Sequence, residues 1–312
     1  MINPILASSA RRRMRSARTP VLITLYGVLI FLFGLGMAFG QFANPSISIY
    51  VMRQGMQAYA GMLAIQFALI LLITPAMTAG SIAGERERQT LDMLLVTNTG
   101  SLRIVAGKLL ESLGYVALLL VAALPSMCLT LVTGGVTLAD VLTGALFLLV
   151  TAFAALSVGV FASAVFRRTV TATVMAYLIV FFIGVVTMVP LVLGVWNIGS
   201  NYDAMFSSTM ASSVAVIGGV DGPTSIGIGV NGFIYSPAMG LMALIADQTG
   251  LLKSTLMDYS YTLYRIYDYL DFSAIKWENM AFMAGAGLLL DLLAACFVRP
   301  REARMRRRSA KK

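Results

Sequence analysis

The side chains that could carry chemistry in this chain are few, and one class is missing altogether. None of the 312 residues is histidine. That removes serine–histidine hydrolysis, cysteine–histidine proteolysis, histidine-ligated zinc and a haem held by an axial histidine. The two cysteines, Cys128 and Cys296, lie inside apolar runs. They suggest neither a disulfide framework nor a metal site and are expected to pack as small hydrophobes. A phosphate-cradling loop needs G-x-x-x-x-G-K-[ST]. The nearest stretch, Gly100 to Gly107-Lys108-Leu109, has the wrong spacing and a leucine where a hydroxyl should bind magnesium. The GxGD motif of intramembrane aspartyl proteases is also absent.

What remains is one dense cluster and three isolated polar groups. Glu85, Arg86, Glu87, Arg88 and Asp92 fall within eight residues of a chain that holds only 14 acids and 23 bases. Leu91, Leu94 and Leu95 recur at helical spacing beside them. Glu85, Arg88 and Asp92 share another face and can pair at i,i+3 and i,i+4. These spacings predict a short amphipathic helix over 82–97 at a membrane surface. Asp291 stands alone in the last apolar run, where a carboxylate is unfavourable and a candidate for function unless it packs into the bundle or reaches the headgroups. Gln66 lies mid-run as interhelical glue or as part of a substrate path. Glu111 can pair with Lys108 at i,i+3.

The elements that must position these groups follow from composition. The chain is 58% hydrophobic and 12% charged, with a mean hydropathy of +0.84, against about 25% charged residues in soluble domains. This is an all-α integral membrane protein: several apolar runs approach the roughly 20 residues a spanning helix needs, and the alternating segments of a barrel are absent. Six spans are expected, over 20–42, 58–79, 104–132, 138–165, 170–196 and 279–298. Residues 1–19 form a basic interfacial helix rather than a cleavable leader, and 299–312 a basic tail. Gly36 and Gly40 should permit close helix approach in the first span. Thr74-Pro75 should kink or end the second, and Pro125 should bend the third. Ala155, Gly159 and Ser163 form a small-residue stripe on the fourth.

Nineteen of the 23 lysines and arginines fall on one side of this layout, leaving Arg53, Lys253, Arg265 and Lys276 on the other. The bias places both termini and the charged cluster in the cytoplasm of a cell whose inner membrane holds the chain. The region 197–278 is then external. Within it 233–245 is apolar enough for a re-entrant or surface helix, and Asp221-Gly222-Pro223 breaks the candidate span before it. Reading 207–230 and 233–245 both as spans would instead give eight, again with the C-terminus inside.

Here the residues resemble a known family. Thr78-Ala-Gly80-Ser-Ile-Ala-Gly84-Glu-Arg-Glu-Arg88-Gln-Thr90-Leu-Asp92-Met-Leu-Leu-Val-Thr97, followed by Ile104-Val-Ala-Gly107-Lys108, is similar to the segment between the second and third spans of ABC-2 type transporter permeases. The resemblance implies a transport subunit without catalysis of its own, working as an exporter. It implies a separate ATP-binding subunit, which would hold ATP and Mg, contacting Glu85, Arg86, Glu87, Arg88, Thr90, Leu91 and Asp92. It also implies a second permease subunit, with the lipid bilayer rather than nucleic acid as the remaining partner. A second, local resemblance covers Val216-Ile-Gly-Gly219-Val-Asp221-Gly-Pro-Thr-Ser225, similar to a segment of the membrane β-subunit of sodium-translocating decarboxylases. It implies a cation site at Asp221 on a broken helix. The rival expectation is therefore a sodium-coupled carrier using Asp221 and Asp291.

Overall fold

The computed structural model describes residues 18–42, 48–89, 101–133, 135–186, 236–250 and 272–298, and every regular element among them is a helix. In chain order these are α1 (Arg18–Phe42), α2 (Ser48–Thr78), the single turn α3 (Ala83–Glu87), α4 (Ser101–Thr133), α5 (Leu138–Val165), α6 (Thr169–Phe181), α7 (Pro237–Thr249) and α8 (Phe272–Val298). A π-helical turn, Phe182–Val186, extends α6. Four of them, α2, α4, α5 and α8, are long and apolar enough to cross a membrane. α1 and α6 coincide with the first and fifth expected spans, but their described apolar stretches, Ile23–Gly36 and Thr169–Gly184, are shorter.

α5 is the central helix. It packs against α2, α4, α6, α7 and α8, and 61% of its most apolar window is buried, against 39%, 39% and 28% for α2, α4 and α8. Its start is fixed locally. Thr137 caps the first turn by accepting from the Asp140 amide, while the Asp140 carboxylate accepts from the Thr137 amide at 2.9 Å. This reciprocal arrangement satisfies donors that a helix start otherwise leaves open. Tyr59, Leu63, Phe67 and Ile70 of α2 fill the main core with Phe147, Leu148, Ala152 and Leu156 of α5 and Met280 and Met283 of α8. Phe67 and Phe147 stack at 6.4 Å between centroids. α1 joins through Tyr26 and Ile30 against Leu119 and Ala123 of α4. Large apolar side chains also line the outside, among them Leu25, Leu32, Val174, Phe181, Leu289 and Phe297, as lipid-facing surfaces require. Between lipid-solvated helices no hydrophobic force remains to drive association, so close packing of small residues and polar contacts decide it.

Several expectations from sequence are corrected here. α2 begins at Ser48, ten residues before the expected span, although it ends at Thr78, one residue from the expected end, with Pro75 inside it. The proline removes the donor that would reach the Leu71 carbonyl; at the next carbonyl, Leu72, the Tyr177 hydroxyl of α6 donates from outside at 2.7 Å. α4 likewise runs through Pro125, and α8 starts at Phe272 rather than near 279. Among the described residues nothing lies within 4 Å of a Cβ placed on Gly36. Cys128 and Cys296 are exposed on helix faces instead of packed inside.

α7 lies where the re-entrant or surface helix was expected. Its start is buried: Ser236 caps Met239, Pro237 occupies the first turn, and the Asn279 amide of α8 donates to the Ser236 carbonyl at 2.9 Å. Its other end reaches the start of α5, where the Gln248 amide nitrogen donates to the Asp140 carbonyl and to Thr143. The Tyr59 hydroxyl bonds to the same carbonyl at 2.8 Å and to the Gln248 side chain at 3.0 Å. Lys276 of α8 pairs with Asp247. Gly250, with φ of 59°, closes the helix in the left-handed conformation glycine favours. Residues 1–17, the Asp221 segment, the tyrosine-rich 259–269 stretch and the basic tail lie outside the described residues.

Candidate functional site: a charged turn bracing three helices

The charged cluster sits where α2 ends and α4, α5 and α6 have their charged ends. Among the described residues it is one helical turn; residues 90–97 of the helix expected over 82–97 lie outside them. Ala83–Glu87 is followed by Arg88 and Gln89, and Gln89 adopts a φ of 57°. That left-handed residue interrupts the helical path at Gln89. Thr90, Leu91 and Asp92 lie outside the described residues.

Neither end of this corner is capped by its own sequence. Ile82 occupies the N-cap of α3 and Arg168 that of α6, and neither supplies a side-chain cap. An aliphatic or arginine side chain offers no acceptor for the first amides of a helix. The missing acceptors come from elsewhere in the fold. The buried Ser163 hydroxyl of α5 accepts from the Ile82 amide at 2.9 Å and the Ala83 amide at 2.8 Å. The Glu87 carboxylate accepts from the Thr169 amide at 3.0 Å and its hydroxyl at 2.8 Å, capping α6. In return Arg86 donates through Nη2 to the Ala164 carbonyl at 3.3 Å, in the last turn of α5, where a cation complements the helix end. Lys108 of α4 pairs with Glu85 at 2.8 Å. One turn of chain is thereby tied to three helices.

These contacts set the electrostatics of the corner. The Thr169 amide, then its hydroxyl, with Arg168 nearby, hold the Glu87 carboxyl below the usual carboxylate range. Partial burial, then the nearby Arg167, lower Arg86 from its ordinary value. Arg88, Gln89, Arg103, Arg167 and Arg168 are exposed around the turn, so the face presented outward is basic. Small residues make the approach possible. A Cβ on Gly159 would lie 2.0 Å from Thr78 Oγ1 and 3.1 Å from Thr78 Cβ, so the end of α2 rests directly on α5. Gly159 and Ser163, two of the three residues of the stripe read from sequence, are the seat of the charged corner.

Of the isolated polar groups, Asp291 faces α5 and accepts from the Ser157 hydroxyl at 3.0 Å through Oδ2. Gln66 is fully buried, and its amide has no hydrogen-bond partner among the described residues. The two are not brought together with each other by any described contact, and neither touches the charged turn. Asp221 lies outside the described residues. Sequence reasoning did not single out Thr169 as a partner, and it did not foresee the pairing of Lys108 with Glu85. The available signal was the poor capping character of Ile82 and Arg168, which calls for acceptors from other elements.

A bundle of long apolar helices with its charges gathered on a braced corner defines a multi-pass membrane protein. The particular kind follows from comparison with known families: a model described as "ABC-2 family transporter protein" matches residues 4–299. The match covers nearly the whole chain, and the chain belongs to that family of membrane permeases. A comparison with curated proteins found no match.

Proposed function

We propose that this chain is the membrane half of an ABC-2 exporter, with six spans and both termini in the cytoplasm of the inner membrane. A separate subunit holding ATP and Mg²⁺ docks on the basic face around Arg88 and on the segment that follows it, with Thr90, Leu91 and Asp92. A second permease subunit, identical or related, completes the membrane part. Glu85, Arg86 and Glu87 serve the same interface from behind, holding the turn in place through Lys108, Ala164 and Thr169. Gln66 and Asp291 are the polar groups we assign to the transport path, since intramembrane polar groups are retained at a free-energy cost.

The observation that carries this reading is the family match over residues 4–299. The braced, outward-basic turn supports it, because a contact that transmits force needs a rigid element with charges that set its register. Co-purification tests it. The wild-type chain should bring down an ATP-hydrolysing subunit, and R88E should bring down much less of it at unchanged expression. Equal recovery with R88E removes Arg88 from the interface, and no recovery with the wild-type chain overturns the docking reading.

A further inference from the structure

The charged turn is held against α5 at two points one helical turn apart. Thr78 lies over Gly159, and the Ile82 and Ala83 amides end on Ser163. Both sides advance by four residues, 78 to 82 and 159 to 163, so the pairing fixes the orientation of the turn as well as its position. The second point is irreplaceable by solvent. Ser163, Ile82 and Ala83 are fully buried, and the two amides are orphan donors of a helix start whose own N-cap residue is an isoleucine. A serine oxygen has two lone pairs and here accepts twice. If the turn moved off α5, both amides would be stranded without an acceptor in a buried place.

We infer that Ser163 is the pin that makes the charged turn and α5 move as one body. The inference rests on the docking reading for its purpose, since the turn is where the ATPase would push. Its geometry stands without that reading. Ser163 is a positioning residue: it touches no substrate, and its effect is to pass a displacement of the turn into the most buried helix of the bundle. The Glu87 cap on Thr169 adds α6 to the same body from the exposed side.

The test measures rigidity directly and needs no transported substrate. Spin labels are placed on Q89C, at the exposed end of the turn, and L138C, at the exposed far end of α5, with C128S and C296S removing the native thiols. The labels are separated by about the length of α5, roughly 40 Å at 1.5 Å per residue. Distances are recorded by pulsed electron resonance for the complex with its ATPase, with and without a non-hydrolysable ATP analogue, and for the chain alone. The wild-type residue and S163T, which keeps the acceptor, should give one narrow distance that nucleotide does not shift. S163A should give a distribution roughly twofold broader, as a contact opens locally, and should shift with nucleotide. S163V, close to threonine in shape but without an acceptor, should behave as S163A does. An unchanged, narrow distance in S163A and S163V overturns the inference, as does a nucleotide-dependent shift in the wild-type chain. If no ATPase binds, the docking reading fails, while the width difference in the chain alone still decides for or against the pin.

Discussion

Replacing Gly159 with alanine should destabilise the protein although alanine is the better helix former. An isolated Gly→Ala change inside a helix gains about 1 kcal/mol. At Gly159 the new methyl would sit 2.0 Å from Thr78 Oγ1, with Thr78 Cβ at 3.1 Å and the Ala79 amide nitrogen at 3.4 Å. Thr78 cannot swing aside freely, because its hydroxyl donates to the Thr74 carbonyl at 3.1 Å in a buried position. Overpacking of this kind destabilises by about 1–3 kcal/mol, and losing the buried hydrogen bond adds about 1 kcal/mol. The two together outweigh the propensity gain, and G159A should be less stable by about 1–3 kcal/mol. T78A removes the clashing oxygen, so the double variant should recover most of the loss, with a coupling of about 1–2 kcal/mol. G285A is the control: nothing lies within 4 Å of its new methyl, so it should be neutral or gain up to about 1 kcal/mol. Equilibrium unfolding in mixed micelles, followed by helical circular dichroism, reads all four. If G159A is as stable as G285A, or T78A fails to rescue it, α2 is not seated on Gly159.

Three further outcomes follow from the same contacts. Y59F removes the hydroxyl shared by the Asp140 carbonyl and Gln248, at about 1–2 kcal/mol, and amide exchange across α7 should accelerate; unchanged exchange would mean that α7 is held without Tyr59. The Glu87 carboxyl is held below its ordinary value by Thr169, so its contribution to stability is present above the unfolded-state value and is lost as pH falls through the lower folded-state value. E87Q should therefore flatten the acid limb of a thermal-stability profile, and a superimposable limb in E87Q would assign that limb to other groups. D291N keeps an oxygen to accept from Ser157 while removing a charge from the membrane, so it should unfold no more easily than the wild type. S157A, by contrast, leaves the carboxylate without that donor and should lower stability by about 1 kcal/mol; a D291N chain less stable than S157A would show that the charge itself is needed.

The helices were legible in the sequence to different degrees, for physical reasons. The span over 138–165 matches α5 at both ends, because a Thr-x-x-Asp cap opens it and Phe166-Arg167-Arg168 closes it. α2 was read short because Asn44-Pro45, Arg53, Gln54 and Gln57 interrupt the apolar run and look like a polar link, while the helix begins at Ser48 with Arg53 exposed. Thr74-Pro75 was expected to kink or end the second span, and the helix runs on to Thr78; the contact of Tyr177 with Leu72, 105 residues away, is one that local rules cannot see. The charged cluster was found at once by its density. Its internal use was not, since Ser163 and Thr169 lie about 80 residues further on, and nothing local to Glu87 or Ile82 names them. The small-residue stripe was the one long-range contact visible beforehand, because a spacing of four on a helix is itself a surface.

Pro75 lies three residues from the end of α2, beside the charged corner, with 27 residues of helix between it and Ser48. At 1.5 Å per residue that is an arm of roughly 40 Å on one side of the proline, against about 5 Å on the other. A change of about 10° in the bend at Pro75 would sweep the Ser48 end through roughly 7 Å while scarcely displacing Thr78. The position of one proline thus sets a mechanical gain of about eight. Tyr177, fastened to Leu72 just on the long-arm side of Pro75, makes α6 follow the start of that swing.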